Sequence, residues 1–335
     1  MAEALYVLSG LLILTALAPH LPGKHWLIRV WEFPRTQQLV VIIALILAWM
    51  LLPVDIEFGG AVALTGLVAA GLYQLFWILP YTPLWRTEVP SSKHKPAYSL
   101  SLMTSNVLMH NDNSKGLISQ VKQHQPDMLI TLETNQWWED QLTPLHDDYP
   151  HRMACPLENL YGMHLYSKLP FEKQKLRFVV EDDVPSMQVD VLLDDLPITV
   201  YFLHPKPPSP TENETARPRD VELALIGKEV ADYDKPVIIA GDLNDVAWSP
   251  TTRMFRKLSK AKDPRIGRGF FNTFHAAHPL IRWPLDHVFH SNDFTLLEIK
   301  RLKGFGSDHF PLYTHLALTE HVDASKKNKQ VKTKS

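Results

Sequence analysis

Three apolar runs crowd the first 90 residues, at 4–18, 39–54 and 58–81, and residues 39–53 include no charged side chain. Such stretches suit hydrocarbon better than the surface of a soluble domain, and a helix needs about 17 to 25 apolar residues to cross a bilayer. Three transmembrane helices are therefore expected, over 4–19, 38–54 and 58–81. The third is long enough unaided, and the first two lie near the lower limit. Acidic Glu3, with no basic segment before the first run, argues against a signal peptide. Gly59, Gly60, Gly66 and Gly71 lie in or beside the third run, where small residues let membrane helices approach closely. Trp26, Trp31, Trp77, Tyr81 and Trp85 fall near the ends of the runs, as interfacial aromatics do.

Charge gives the expected orientation. Lys24, Arg29 and Arg35 lie between the first two runs, and Arg86, Lys93 and Lys95 follow the third, whereas the opposite side carries no Lys or Arg. The positive-inside rule then places the N-terminus outside and the large C-terminal domain in the cytoplasm. Cys155 is the single cysteine, which excludes an intramolecular disulfide and a cysteine-based zinc site. Residues 87–96 turn polar and read as a linker. Residues 97–320 are long enough for a sizeable core. The last segment, 321–335, carries Lys326, Lys327, Lys329, Lys332 and Lys334 and reads as a disordered, solvated tail, with attraction to anionic lipid as the sharper alternative.

Within the domain, strands are expected at 99–107, 128–132, 160–167, 187–193, 198–203, 237–240, 286–290 and 312–318, and helices at 114–124, 218–231 and 250–259. The strands over 160–203 follow one another with short turns, as in an antiparallel sheet. Ile198, Val200 and Phe202 point one way, and Tyr201 and Leu203 the other, so both faces are covered. Two sheets packed together with helices outside each would bury such strands.

Polar residues gather where these strands end. Asn106 ends the first, Glu133 the second and His204 the strand 198–203; Asp242 and Asn244 leave the Val237 strand; Asp286 and His287 open another, and Ser307, Asp308 and His309 precede the last. The segments Ser105-Asn106-Val107, Leu132-Glu133-Thr134, Leu203-His204-Pro205, Gly241-Asp242-Leu243-Asn244, Leu285-Asp286-His287-Val288 and Ser307-Asp308-His309-Phe310-Pro311 resemble, in order, those of the endonuclease/exonuclease/phosphatase superfamily. The membrane-bound bacterial branch is the most similar. The resemblance implies an α/β fold, the four-layer α/β/β/α sandwich of DNase I-like proteins, behind three transmembrane helices in a bacterial inner membrane.

It also implies the chemistry, Mg²⁺-dependent cleavage of phosphate esters with Mn²⁺ as a possible substitute. Charge builds on phosphoryl and leaving oxygens, which calls for a hard cation and fixed donors. By resemblance, Glu133 is the principal metal ligand, with Asn106 beside it and Asp308 near the metal or its waters. Asp242 orients or deprotonates the attacking water and Asn244 positions the phosphate. Asp286 fixes His309, which faces the phosphate, and His204 donates to the phosphate or the leaving group. The departure is Leu108, where AP-endonuclease-type relatives carry an acid.

Arg217 and Arg219 are candidate substrate-binding forks, with a helix-start surface pair equally expected. His275, His278, His287 and His290 read as loop or surface histidines rather than a zinc site, and Trp137, Trp138, Trp248 and Trp283 as core or rim packing. With 34 basic and 36 acidic residues, a basic nucleic-acid face is not favoured. Three functions remain: a membrane-anchored phosphoesterase acting on a lipid-borne or membrane-proximal ester, a tethered nuclease, and a non-catalytic scaffold. The acidic cluster argues against the last, because a scaffold has no need of a costly cluster of acids. Membrane lipids are the expected partners, and no protein partner is inferred.

Overall fold

The computed structural model describes residues 1–54, 56–92, 98–193 and 195–319. The apolar runs form α1 (Ala2–Leu17), α3 (Arg35–Leu51) and α4 (Phe58–Ile78), with a short α2 (Trp26–Arg29) between the first two. Ala2–His20 and Phe58–Tyr81 are each long and apolar enough to cross a membrane. The middle run is not so by itself. It reaches that length only together with Trp26–Glu32, from which it is bent by 69°. Two spans, or three if the bent pair counts as one, replace the three equivalent spans expected. Pro34 stands at the N-cap of α3, where its fixed φ and missing N–H allow a helix to begin but not to pass through. The three helices pack on each other through Ile42, Leu45, Trp49, Leu67 and Ala70. Polar contacts add to this: Trp49 Nε1 donates to Ser9 Oγ at 3.1 Å and Arg35 Nη1 to Gln74 Oε1 at 2.7 Å.

The remainder is a two-sheet sandwich. Its elements are β1 (Ser99–Asn106), α5 (Ser114–His124), β2 (Met128–Leu132), α6 (Gln136–Gln141), β3 (His151–Cys155), β4 (Met163–Ser167), β5 (Phe171–Arg177), β6 (Ser186–Leu193) and β7 (Leu196–Leu203). Then follow α7 (Arg217–Ala231), β8 (Val237–Asp242), α8 (Pro250–Ser259), β9 (Asp286–His290), β10 (Phe294–Arg301) and β11 (Leu312–Leu318). One sheet has the order β10-β11-β1-β2-β4-β3 and the other β5-β6-β7-β8-β9. β6 and β7 form the expected hairpin, but β4 belongs to the opposite sheet.

Period-two alternation separates the layers. Ile198, Val200 and Phe202 meet Leu102, Ile130 and Leu165 in the core between the sheets. Tyr201 and Leu203 face outward onto Leu223, Ile226 and Phe255 of α7 and α8. On the far side, Met103 and Leu129 pack against Leu117, Val121 and Trp138 of α5 and α6. This is the four-layer α/β/β/α arrangement.

The N-terminal region is tied to this domain. Arg29 Nη2 donates to Thr251 Oγ1 at 2.8 Å, Trp248 Nε1 to the Glu32 carbonyl at 2.8 Å, and Lys24 pairs with Asp220 at 2.6 Å. Residues 87–92 of the expected linker lie against the domain as well. Glu88 pairs with Arg256, Val89 is buried, and Ser92 N–H donates to the Leu296 carbonyl. Residues 93–96 of that linker and the basic tail 321–335 lie outside the described residues.

Two buried histidines make stability pH-dependent. Burial lowers His164 and His290 to about 4 each, so both are neutral in the fold. The unfolded chain takes up their protons near pH 6.5, so their contribution is intact above that pH and is lost as pH falls towards 4. Urea unfolding of the detergent-solubilised chain should show stability falling by up to about 1.4 kcal/mol per pH unit for each histidine across that window. A smaller slope is expected in His164→Phe.

Candidate active site

Strand direction gathers the polar residues at one end of the sandwich. β1 and β2 are parallel, with Asn106 opposite Leu132, so Asn106 and Glu133 leave the sheet together. In the second sheet β7 and β8 are parallel, with Leu203 opposite Gly241, which brings His204 beside Asp242. β9 runs antiparallel to β8, and its first residue Asp286 faces Asp242 in register. β11 is antiparallel to β1, so its lead-in Ser307–His309 reaches the same end.

The chain is constrained where it turns into the site. Leu108, Glu133 and Asn244 all have positive φ, at 57°, 59° and 50°, a conformation that side chains other than Gly adopt at a cost. Gly241 has φ +138° and approaches β7 so closely that a Cβ would meet the Leu203 carbonyl oxygen at 2.0 Å. Gly241→Ala is expected to lower stability by about 3 kcal/mol or more, from backbone strain and overpacking together. Chemical denaturation checks this.

The side chains then form a connected set. Asn106 Nδ2 donates to Glu133 Oε1 at 2.6 Å and to Asp242 Oδ2 at 3.2 Å. His309 Nδ1 donates to Asp286 Oδ2 at 2.8 Å, while its Nε2 lies 3.5 Å from Asp242 Oδ2. His204 Nδ1 donates to the Asp242 carbonyl at 3.2 Å, leaving Nε2 turned towards Glu133 Oε1 at 4.0 Å. Asn244 N–H donates to Asp242 Oδ1 at 2.8 Å, and the Asn244 amide to the Pro205 carbonyl at 3.0 Å. Ser307 Oγ donates to the Asn106 carbonyl at 2.8 Å and so ties the Asp308 turn to β1.

Burial dominates the electrostatics. It raises Glu133, against His204 and Asn106, and it raises Asp242, against His309. For His309 burial acts downward, but Asp286 and Asp242 outweigh it and lift the imidazolium to about 10. For Asp286 burial acts upward, and His309 outweighs it to hold the carboxyl low. Asp286, His309 and Asp242 are thus a charge-coupled chain.

One sequence expectation needs correction, and one residue shows a further contact. Arg219 is not a free fork. It is buried, donates to the Asn244 carbonyl at 2.7 Å, and pairs with Asp220 at 3.1 Å and Asp245 at 3.5 Å, so it supports the Asn244 turn from behind. Arg217, two residues earlier, is exposed. Asn106 turns its NH₂ to the acids, because its Oδ1 accepts the Leu108 N–H at 3.0 Å. Its Nδ2 thus holds Glu133, and Leu108 contributes through its backbone N–H where an acid was missing.

The sequence reading also left out a supporting layer. His287 and His290 are fully buried, not surface groups. His287 Nε2 donates to the Asp245 carbonyl at 2.9 Å, and its Nδ1 accepts from Arg265 at 2.6 Å. Arg265 is locked by Asp263 at 2.8 Å and donates to the Asp286 carbonyl at 3.1 Å, which fixes the start of β9. Thr273 Oγ1 accepts the Asp286 N–H at 3.2 Å. Asp263, Arg265 and Thr273 have no recognisable spacing to Asp286 in the sequence; only the fold makes them its neighbours.

Glu133, Asn244, Asp308 and His309 line one cleft of about 680 Å³. Ligand atoms of Asp242, Asp286 and His309 lie within 4.8 Å of one another, as a metal trio would. His309 Nδ1 already bonds Asp286 Oδ2 at 2.8 Å, which suits an oriented imidazole better than a cation. Glu133 and Asp308 fit a hard cation, since both carboxylates border the cleft and burial disfavours the Glu133 charge unless a positive partner is present.

A model described as the Endonuclease/Exonuclease/phosphatase family matches residues 103–309. The chain belongs to the endonuclease/exonuclease/phosphatase family. That membership makes it an enzyme of the metal-dependent phosphoric-ester hydrolase class. Solved structures share the fold at low identity. D. rerio TDP2 complexed with single-strand DNA product is 14% identical with a TM-score of 0.55, over 65% of this chain and 98% of that one. An endonuclease/exonuclease/phosphatase from Bacteroides vulgatus is 16% identical with a TM-score of 0.54, over 66% and 99%. One from Beutenbergia cavernae is 16% identical with a TM-score of 0.52, over 66% and 72%. No curated protein matches the chain.

Proposed function

We propose that this family member is a membrane-anchored, Mg²⁺-dependent phosphoesterase that hydrolyses a lipid-borne or membrane-proximal phosphate ester. The observation that carries the chemistry is the Asp286–His309 hydrogen bond of 2.8 Å, with His309 Nε2 at 3.5 Å from Asp242 beside the Glu133 cleft. Glu133 is the principal site for Mg²⁺, or Mn²⁺ in its place, with Asp308 near the ion or its waters and Asn106 holding Glu133. Bound there, the cation would offset charge on the phosphoryl oxygens.

Asp242 orients the attacking water and accepts its proton as the water oxygen bonds to phosphorus. The ester P–O bond breaks, and the departing oxygen takes a proton from His204 or solvent. Asp286 keeps His309 oriented and charged, so its Nε2–H can donate to a phosphoryl oxygen. Asn244 keeps a second amide N–H for the phosphate.

A tethered nuclease is the second reading, because D. rerio TDP2 was solved with a single-strand DNA product. The cleft speaks against it here. Among the described residues that line it there is no Lys or Arg, whereas nucleic-acid affinity rests on cations facing phosphates. The loop charges favour the cytoplasmic face of the membrane for the domain. The test of the chemistry is hydrolysis of bis(p-nitrophenyl) phosphate by the chelator-treated chain. Activity that returns with Mg²⁺ or Mn²⁺ supports the reading, and activity indifferent to chelation overturns it.

A further inference from the structure

The cleft above Glu133 and His309 is walled by two different parts of the chain. Trp26, Trp31 and Phe33 of the N-terminal region form one side. Phe274, Ile281 and Trp283 of the sandwich form the other, and Phe33 meets Trp283 edge to face at 5.6 Å. The catalytic domain alone therefore leaves the cleft without one of its walls.

The segment Trp26–Glu32 has an unusual division of its side chains. Its charged residues point inward: Arg29 is 6% exposed and Glu32 0%, paired with each other at 3.0 Å, and Arg29 also donates to Thr251. Its apolar residues point outward, with Leu27 54%, Val30 43% and Trp31 36% exposed. A segment that only met water would have the reverse arrangement. The outward face needs an apolar neighbour.

Two observations say what that neighbour is. The apolar wall continues, within one cavity, into the groups that would hold and attack a phosphate. The same segment is joined at a 69° bend to the apolar α3, beside two helices long enough to cross a membrane. An occupant that satisfies both has a phosphate at one end and a hydrocarbon chain at the other, and it comes from the bilayer.

We propose that residues 26–34 are the tail-binding wall of the active site, so that the substrate is a phosphate ester bearing a long hydrocarbon chain drawn from the membrane. This rests on the phosphoesterase reading, narrows its substrate to the lipid-borne class and names the wall that selects it. Val30, Trp31 and Phe33 are then specificity-determining residues, and the N-terminal helices are part of the enzyme rather than only its anchor.

The test uses the full chain in nanodiscs with Mg²⁺ and a series of alkyl p-nitrophenyl phosphates, from ethyl to octyl to dodecyl, each below its micelle concentration. In every member p-nitrophenol leaves and the alkyl group stays on the phosphate, so the chemistry is constant. kcat/KM should rise about tenfold or more from ethyl to octyl, the scale on which apolar pockets discriminate chain length. In Trp31→Ala and in Val30→Asp the octyl-to-ethyl ratio should collapse towards one. The ratio is unaffected by a partial loss of folded protein. A flat series in the wild type, or a ratio that survives both substitutions, overturns the tail-binding wall while leaving the phosphoesterase standing. No Mg²⁺-dependent hydrolysis of any member overturns the phosphoesterase reading, and this inference with it.

Discussion

Asp242→Asn is expected to lower kcat by about 10³- to 10⁴-fold, the upper range for loss of a positioned general base. The side chain is fully buried, and the replacement has the same shape. Its Oδ1 can still accept the Asn244 N–H, which is 2.8 Å away in the wild type. At Oδ2 the amide nitrogen would face Asn106 Nδ2 at 3.2 Å and His309 Nε2 at 3.5 Å, donor against donor, and no group would remain to take the proton from water. The loss should therefore appear in single-turnover rates, with the circular dichroism spectrum unchanged. A rate within tenfold of wild type would remove Asp242 from that role.

Glu133→Ala should act on the metal as well as the rate. The carboxylate accepts from Asn106 at 2.6 Å and borders the cleft with Asp308, and among the described residues no Lys or Arg lines that cleft to replace a lost cation site. Mg²⁺ affinity measured by calorimetry should fall by about 100-fold or more, since even indirect partners of a ligand cost 10- to 100-fold. Raising Mg²⁺ should restore part of the rate in Glu133→Ala and none of it in Asp242→Asn. Equal response of the two variants to Mg²⁺ would contradict this division of roles.

The buried strands were legible in the sequence because apolar and β-branched residues repeat in them without interruption. β2 and β8 fall where Met128 and Val237 begin their runs. Missed were β3, β5 and β10. β5 reads Phe-Glu-Lys-Gln-Lys-Leu-Arg and is largely exposed at a sheet edge, where charge replaces alternation, and β3 and β10 are edges too. The site residues were legible as polar groups after strands. Their mutual roles were not, because Arg219 becomes a support and Asn106 an orienting amide only through contacts with Asn244 and Leu108. The composite cleft was equally hidden, since Phe33 and Trp283 are 250 positions apart by number and meet only because residues 26–34 dock on the sandwich.

The most direct measurement is Mg²⁺-dependent hydrolysis by the detergent-purified full chain, with lipid-phosphate release and nicking of closed plasmid followed in parallel and Asp242→Asn as the blank. Release of lipid phosphate that stops on chelation, with the plasmid left closed, is the predicted result. Nicked plasmid without lipid hydrolysis, or activity equal to the blank on both, would contradict it.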